Sequence, residues 1–401
     1  MIAIAFWWLT LIDLRYSFGD FPKAPDPNDF SLYYDGARIG LVHGWSHIYD
    51  LAFQRVQFIA THAPGDEFSW KTLYVTPPPV AWLVAPLARL PLTVAYDIWV
   101  LLNAALYAVA GWLAIPGNRL RKLAILLVGA TAYPVLYALK MGQIVPLAAG
   151  SVILAWSLLK RDRQVAAGLV LLAVLLKPQV AILCPLILIF TGHRRALVAW
   201  TLGALGLAVA SALTLGSAGL AQYAAALGVE SPHLGNQTYT LAALLGAGPL
   251  ARTVELACGG VALVAAWRHR RSLELALVAG LLGSYLASPY HHDSDLFALV
   301  VAAWLYLGSE APRWQWAGAA ALLVTMIGLP HLGPAPVLLL ATLWLLTILV
   351  RSRQPRVPDP PGRRVKGAGR LQRMIRTVRA LARPETWGRR RVVPVLPGDH
   401  R

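Results

Sequence analysis

The chain has 401 residues, of which 57% are hydrophobic and only 14% charged, with a net charge of +17. Soluble chains carry roughly 45–50% apolar and roughly 25% charged residues, so this composition excludes a soluble enzyme and a disordered chain and predicts a protein that uses lipid as part of its solvent. Nucleic acid is not the partner the charge implies: residues 351–401 hold 14 Arg and Lys366 against Asp359, Glu385 and Asp399, and the remaining basic residues form short clusters between apolar runs, as cytoplasmic anchoring requires.

In chain order, apolar runs fall at 2–18, 95–115, 123–139, 144–159, 164–176, 178–191, 196–216, 253–267, 273–287, 296–307, 314–329 and 334–350. They predict an all-α polytopic membrane protein with about 12 transmembrane helices, 11 to 13 allowing for short runs. The first run has no basic flank and no small-residue cleavage site before Asp13 and Arg15, and is read as a span rather than a signal peptide. A further run, 77–91, is bounded by Pro77 and Pro91 and is read as a partial or interfacial helix. With the N-terminus inside, twelve crossings place Arg119–Lys122, Lys160–Arg163, Arg194–Arg195, Arg268–Arg271, Arg313 and the basic tail on one face. The predicted domain is 1–350, and 351–401 is a cytoplasmic tail.

The opposite face receives the first outer loop, 19–76. Leu32, Ile39 and Val42, then Ile48, Leu51, Phe58 and Ile59, recur at helical spacing. They predict amphipathic interfacial helices over 30–42 and 47–60 that roof a cavity. In the tail, Leu371, Met374, Ile375, Val378 and Leu381 oppose Arg370, Arg373, Arg376, Arg379 and Arg383 over 366–383, a basic amphipathic helix suited to anionic headgroups. The two cysteines, Cys184 and Cys258, lie in apolar runs and form neither a disulfide framework nor a metal-type spacing.

Ionisable groups expected near membrane depth share the outer side: Asp29 and Asp35 in the first loop, Lys140 and Gln143 at one hairpin, and Lys177 and Gln179 at another. Asn236 and Gln237, then His291, His292, Asp293 and Asp295, complete the set. Such groups cost free energy in a bilayer and imply a function. Lys177 suits a phosphate, with a snorkelling lysine as the alternative. Asp29 and Asp35 are candidate general bases; the alternative for Asp29 is a helix cap. Six residues separate these two aspartates, so they do not share a helical face. Adjacent histidines point apart and suit a common metal ion poorly.

These residues occur in a recognisable order. Asp29-Phe30-x-x-Tyr33-Tyr34-x-Gly36-Ala37 is followed by Ile48-Tyr49-Asp50, a Pro77-Pro78-Pro79 opening and Ala85-Pro86-Leu87-Ala88-Arg89-Leu90-Pro91. Then come Trp99, Asn103, Gly142-Gln143, Gly168, Leu175-Leu176-Lys177-Pro178, Asn236-Gln237-Thr238, Ser288-Pro289 and His291-His292-Asp293. Over about residues 15–295 the chain resembles glycosyltransferase family 87 of the GT-C superfamily. The resemblance implies a GT-C-type fold and inverting transfer of a hexose, mannose by default; the poor spacing of the adjacent histidines and the lack of a paired-carboxylate turn beside Asp29 predict that the transfer needs no metal. The donor would be a polyprenyl-phosphate sugar and the acceptor an envelope lipid or glycan, at the outer face of a bacterial inner membrane. It implies Asp29 as the base. Lys177, His291, His292, Lys140 and Gln143 are the candidates for donor phosphate or sugar, with Asp35, Asn236 and Asp293 as further candidates. No metal or other cofactor is implied. The competing readings are a flippase for a lipid-linked saccharide and an O-antigen-ligase-like protein. The first would favour paired repeats, of which none is evident; the second would place its long loop late in the chain.

Overall fold

The computed structural model of the chain describes residues 28–230, 237–309 and 313–351. The run 2–18, the start of the first loop, Asn236 and the tail with its expected helix 366–383 lie outside these residues. The described residues are helical throughout, without strands.

The first loop folds as α1 (Asp29–His43), a short turn Trp45–His47, and α2 (Leu51–Thr61), close to the two expected helices. The second begins later than expected because Asp50 caps it: Asp50 Oδ1 accepts from Ala52 N at 2.9 Å. A turn Trp70–Thr72 follows, then α3 (Pro78–Val84) and a turn Leu87–Arg89. The seven residues of α3 span roughly 10 Å, far short of a bilayer. Phe30, Tyr33, Tyr34, Ile39, Tyr49, Tyr74, Tyr96, Trp99 and Ile144 form an aromatic core beneath the loop.

The bundle comprises α4 (Leu92–Ala114), α5 (Arg119–Ala130), α6 (Tyr133–Lys140), α7 (Val145–Leu159), α8 (Gln164–Val170), α9 (Leu183–Thr191) and α10 (Arg194–Glu230). These are followed by α11 (Leu241–Leu245), α12 (Pro249–Arg268), α13 (Leu273–Ala287), α14 (Phe297–Leu307), α15 (Arg313–Ile327), α16 (Leu329–Leu332) and α17 (Pro334–Val350). In α13 every residue but Glu274 and Ala287 is buried, so this helix, apolar on all sides, is the centre of the bundle. Many side chains on α4, α10 and α12 are apolar and exposed, among them Leu101, Leu213 and Leu256, the pattern of a lipid-facing surface.

Among the described residues three helices are long and apolar enough to cross a membrane: Leu92–Ala114, Arg194–Val229 and Pro249–Arg268. The pair α5 and α6, bent by 71°, counts as a fourth if taken as one span. Other expected spans are short helices such as Val145–Leu159 and Leu273–Ala287. The run 164–176 tightens into a 3-10 segment from Leu171. In α10 the backbone leaves helical geometry at Gly216, with φ 63°, a conformation that glycine adopts without strain. The part beyond it packs on the first loop: Tyr223 stacks on Tyr49 at 4.4 Å, and Gln222 Nε2 donates to Asp50 Oδ2 at 3.0 Å.

Candidate active site

Beneath the first loop lies a cavity of about 1090 Å³. Its walls come from α1, the segment 67–77, the two hairpin turns that carry Gln143 and Lys177, the end of α10, and the turn 288–292.

Asn28 caps α1. Its Oδ1 accepts from Ser31 N at 3.0 Å, and its backbone N donates to Ser31 Oγ at 3.1 Å, the reciprocal arrangement of a capping box. The reading of Asp29 as the cap is thus corrected by one residue, since Asn caps as well as Asp. Asp29 is the first helical residue, and it lines the cavity with Leu32 and Tyr33, the i, i+3, i+4 face of α1.

Gly142 makes the next turn. Its φ is 61°, and a Cβ there would come within 2.5 Å of Phe30 Cβ, so glycine is required both for the turn and for the approach of α1. Met141 O accepts from Phe30 N at 3.1 Å, and Gly142 O accepts from Trp99 Nε1 at 2.7 Å. This binds the turn to the start of α1 and sets Gln143 beside Asp29 in the cavity wall. Gln143 Oε1 accepts from Tyr33 Oη at 3.2 Å and from Lys177 Nζ at 2.8 Å.

Lys177 sits between two 3-10 segments, Leu171–Leu176 and Pro178–Val180, with φ −148° and ψ 77°. Pro178 ends the first segment, because a residue preceding proline is pushed out of the helical region. Lys177 is buried, and its Nζ lies 2.7 Å from Asp295 Oδ1. The ammonium is thus held by an ion pair with Asp295 and a hydrogen bond to Gln143.

The turn after α13 divides the two histidines. His291 is fully buried: Nε2 donates to Tyr285 O at 2.8 Å, and Nδ1 lies 3.5 Å from Asp295 Oδ2. His292 faces the cavity, with its Nε2 2.8 Å from Tyr290 Oη, and its backbone N donates to Asp295 Oδ2 at 3.0 Å. Asp295 therefore fixes both histidines and Lys177.

The surroundings of Asp29 push its carboxyl above the ordinary carboxylate range by desolvation, while Lys177, His292 and Gln143 pull against that rise. Burial likewise pushes Asp295 up, but Lys177 and His291 outweigh it and hold this carboxyl well below the usual range. His292 is held below the ordinary imidazole value, first by burial and then by Lys177. Asp293 is raised by burial against its hydrogen bond with Tyr239.

Of the residues singled out from the sequence, Asp29, Gln143, Lys177, Gln179 and His292 meet around the cavity, while His291 stands behind it. Lys140 ends α6, and its carbonyl accepts from Tyr96 Oη, but the residue is not in the cavity wall. Asp293 is engaged with Tyr239. Asp35 turns away into the first loop, where Gln57 Nε2 approaches it at 3.4 Å and His62 Nδ1 at 3.7 Å. The sequence groups Asp295 with the outer-side ionisable residues but assigns it no role. Tyr33, quoted only within the Asp29–Ala37 motif, and Tyr290, Trp70 and Lys71 also line the cavity without a role assigned from the sequence.

A carboxylate with a raised proton affinity, facing a buried lysine and a neutral-leaning imidazole, can take a proton from one group while a cation receives negative charge on another. No curated protein and no solved structure matches the chain. The model of glycosyltransferase family 87 matches residues 74–289, a stretch that contains Gln143 and Lys177 and stops short of Asp29, His292 and Asp295. That match takes in more than half of this apolar, all-helical chain, which belongs to glycosyltransferase family 87 and is a membrane-protein glycosyltransferase.

Proposed function

We propose that the enzyme transfers a hexose, mannose first among the candidates, from a polyprenyl-phosphate sugar to a lipid or glycan acceptor at the outer face of the bacterial inner membrane. The observation that carries this reading is the placement of Asp29 and Lys177 on one cavity, joined through Gln143. In the proposed step the acceptor hydroxyl oxygen attacks the anomeric carbon, and Asp29 accepts the hydroxyl proton. The bond from that carbon to the phosphate oxygen breaks, and its electron pair leaves with the phosphate. Lys177 and His292 meet the charge that develops there, and His291 holds the Asp295 behind them. A single displacement inverts the anomeric centre.

The topology proposed with it has about twelve crossings, both termini in the cytoplasm and the cavity outside, with 77–91 as a partial helix. Anionic headgroups are the proposed partners of the basic tail. Metal independence belongs to the proposal because Lys177 supplies the cation. The divergence of the histidines, one into the protein and one into the cavity, supports this further.

The direct test is incubation of the purified protein in nanodiscs with radiolabelled polyprenyl-phosphate mannose, or other polyprenyl-phosphate hexoses, and a panel of lipid acceptors, with and without EDTA. Transfer that survives EDTA is expected. Folded protein that transfers from none of these donors contradicts the donor class, and loss in EDTA restored by Mg²⁺ or Mn²⁺ contradicts metal independence.

A further inference from the structure

We propose that His62 is a positioning residue for Asp29, holding from outside the cavity the helix start that aims its carboxylate. The proposal rests on the reading of Asp29 as the base.

His62 ends α2, and its ring stacks on Phe58 at 4.0 Å. Its Nδ1 lies 3.1 Å from Phe58 O; a carbonyl only accepts, so Nδ1 carries a proton. Its Nε2 lies 2.9 Å from Ser31 Oγ. The Ser31 hydroxyl donates to Asn28 O at 2.7 Å and accepts from Asn28 N at 3.1 Å, while Ser31 N donates to Asn28 Oδ1 at 3.0 Å. One imidazole is thereby tied, through the Ser31 hydroxyl, to the α1 capping box, and Asp29 is the first of the two residues between Asn28 and Ser31.

The order Ser31, His62, Asp35 superficially resembles a nucleophile relay. Ser31, however, is fully buried and outside the cavity wall, and its hydroxyl is spent on Asn28. The group is a fastening. The helix start is held on its other side by Phe30 N donating to Met141 O at 3.1 Å. With both ties made, Asp29 is fixed toward Gln143 and Lys177. A displacement of about 1 Å at a reacting group costs on the order of 10²-fold in rate.

Burial holds the His62 ring below the ordinary imidazole value, with Phe58 O and Asp66 pulling against it, and the ring fastens Ser31 in either protonation state. A neutral ring protonated at Nδ1 must take the Ser31 hydroxyl hydrogen away from Asn28 O. An imidazolium donates to both Phe58 O and Ser31 Oγ and leaves that bond intact. The acidic groups that face it are Asp35 from α1, with Oδ2 at 3.7 Å, and Asp66 from the following loop. Arg38, one turn beyond Asp35, faces that carboxylate.

Two substitutions separate positioning from packing. His62→Phe keeps a ring to stack on Phe58 but has no polar atom, whereas His62→Gln loses the ring and keeps an amide that donates to or accepts from Ser31 Oγ. Turnover is expected to fall about tenfold or more in His62→Phe with the donor KM unchanged, and to return to within about threefold of wild type in His62→Gln. The reverse order, active Phe and impaired Gln, is the signature of packing and overturns the proposal. If His62→Phe does not fold, Ser31→Ala removes the hydroxyl that His62 holds and is expected to show the same kcat loss; full activity in Ser31→Ala also overturns it. Placed in Asp29→Asn, His62→Phe is expected to cost less than about twofold more, because both changes act on one carboxylate. A further tenfold loss there overturns the positioning role while leaving Asp29 as base. Near-wild-type turnover of Asp29→Asn alone is a separate result, which refutes the base itself.

Discussion

Lys177 and Asp295 approach to 2.7 Å with their side chains about 10% and 0% exposed. Removing one partner of such a pair leaves an uncompensated buried charge, at a cost of roughly 3–5 kcal/mol. Asp295→Asn is therefore expected to lower the melting temperature sharply, and Lys177→Met to do the same. The double variant is expected to be more stable than either single variant. Additive losses in thermal unfolding would show that the two groups are not paired.

The same lysine sets the acid limb of activity. Desolvation holds Asp29 above the ordinary carboxylate range, and Lys177 is the largest influence pulling it down. Asp29 works as a base only when ionised, so kcat/KM rises with pH through its titration. Lys177→Met removes the opposing cation and is expected to move that limb to higher pH, with turnover at the plateau lower by on the order of 10²-fold. An acid limb that stays in place in the variant would detach Lys177 from Asp29.

Asp35 carries a different pH signature. Burial pushes its carboxyl from 3.8 up to about 7, and one of its oxygens has no hydrogen-bond partner. Between those values the folded protein holds a proton that the unfolded chain has lost. Its contribution to stability is thus complete below about pH 4 and lost as pH rises through about 7. Asp35→Asn is expected to raise the melting temperature by a few degrees at pH 8 and to leave it nearly unchanged at pH 4. A variant less stable than wild type at both pH values would show that the carboxylate is engaged.

Topology is tested with cysteines in a background lacking Cys184 and Cys258. Arg161→Cys, Arg194→Cys and Arg270→Cys are expected to react with an impermeant thiol reagent only from the cytoplasmic side, and Asp66→Cys only from outside. Labelling of residue 66 from the cytoplasm would overturn the orientation.

The helical class and most bundle helices were legible because apolar run length reports them directly: 334–350 and 273–287 coincide with α17 and α13. Interior breaks were less so. The bend between α5 and α6 lies inside the continuous apolar run 123–139, where composition does not mark it, whereas the departure at Gly216 falls at the expected end of the run 196–216. At the site, Asp29, Gln143, Lys177 and His292 were legible as polar groups within an apolar chain, for which polarity demands a reason. The pairing of Lys177 with Asp295, over a hundred residues apart, and the inward turn of His291 depend on tertiary packing that no local pattern encodes. The cap of α1 was misread by one residue because Asn28 and Asp29 are equally good caps. Only the backbone decides between them.

The central claim is that Asp29 takes the acceptor proton, and single-turnover transfer by Asp29→Asn tests it most directly. Asn keeps the size and one acceptor oxygen but removes the basicity. Because Asn28 already caps α1, folding and donor binding are expected to be retained. Turnover lower than wild type by about 10²–10⁴-fold, with donor affinity preserved, is the predicted result. Turnover within about threefold of wild type would contradict it.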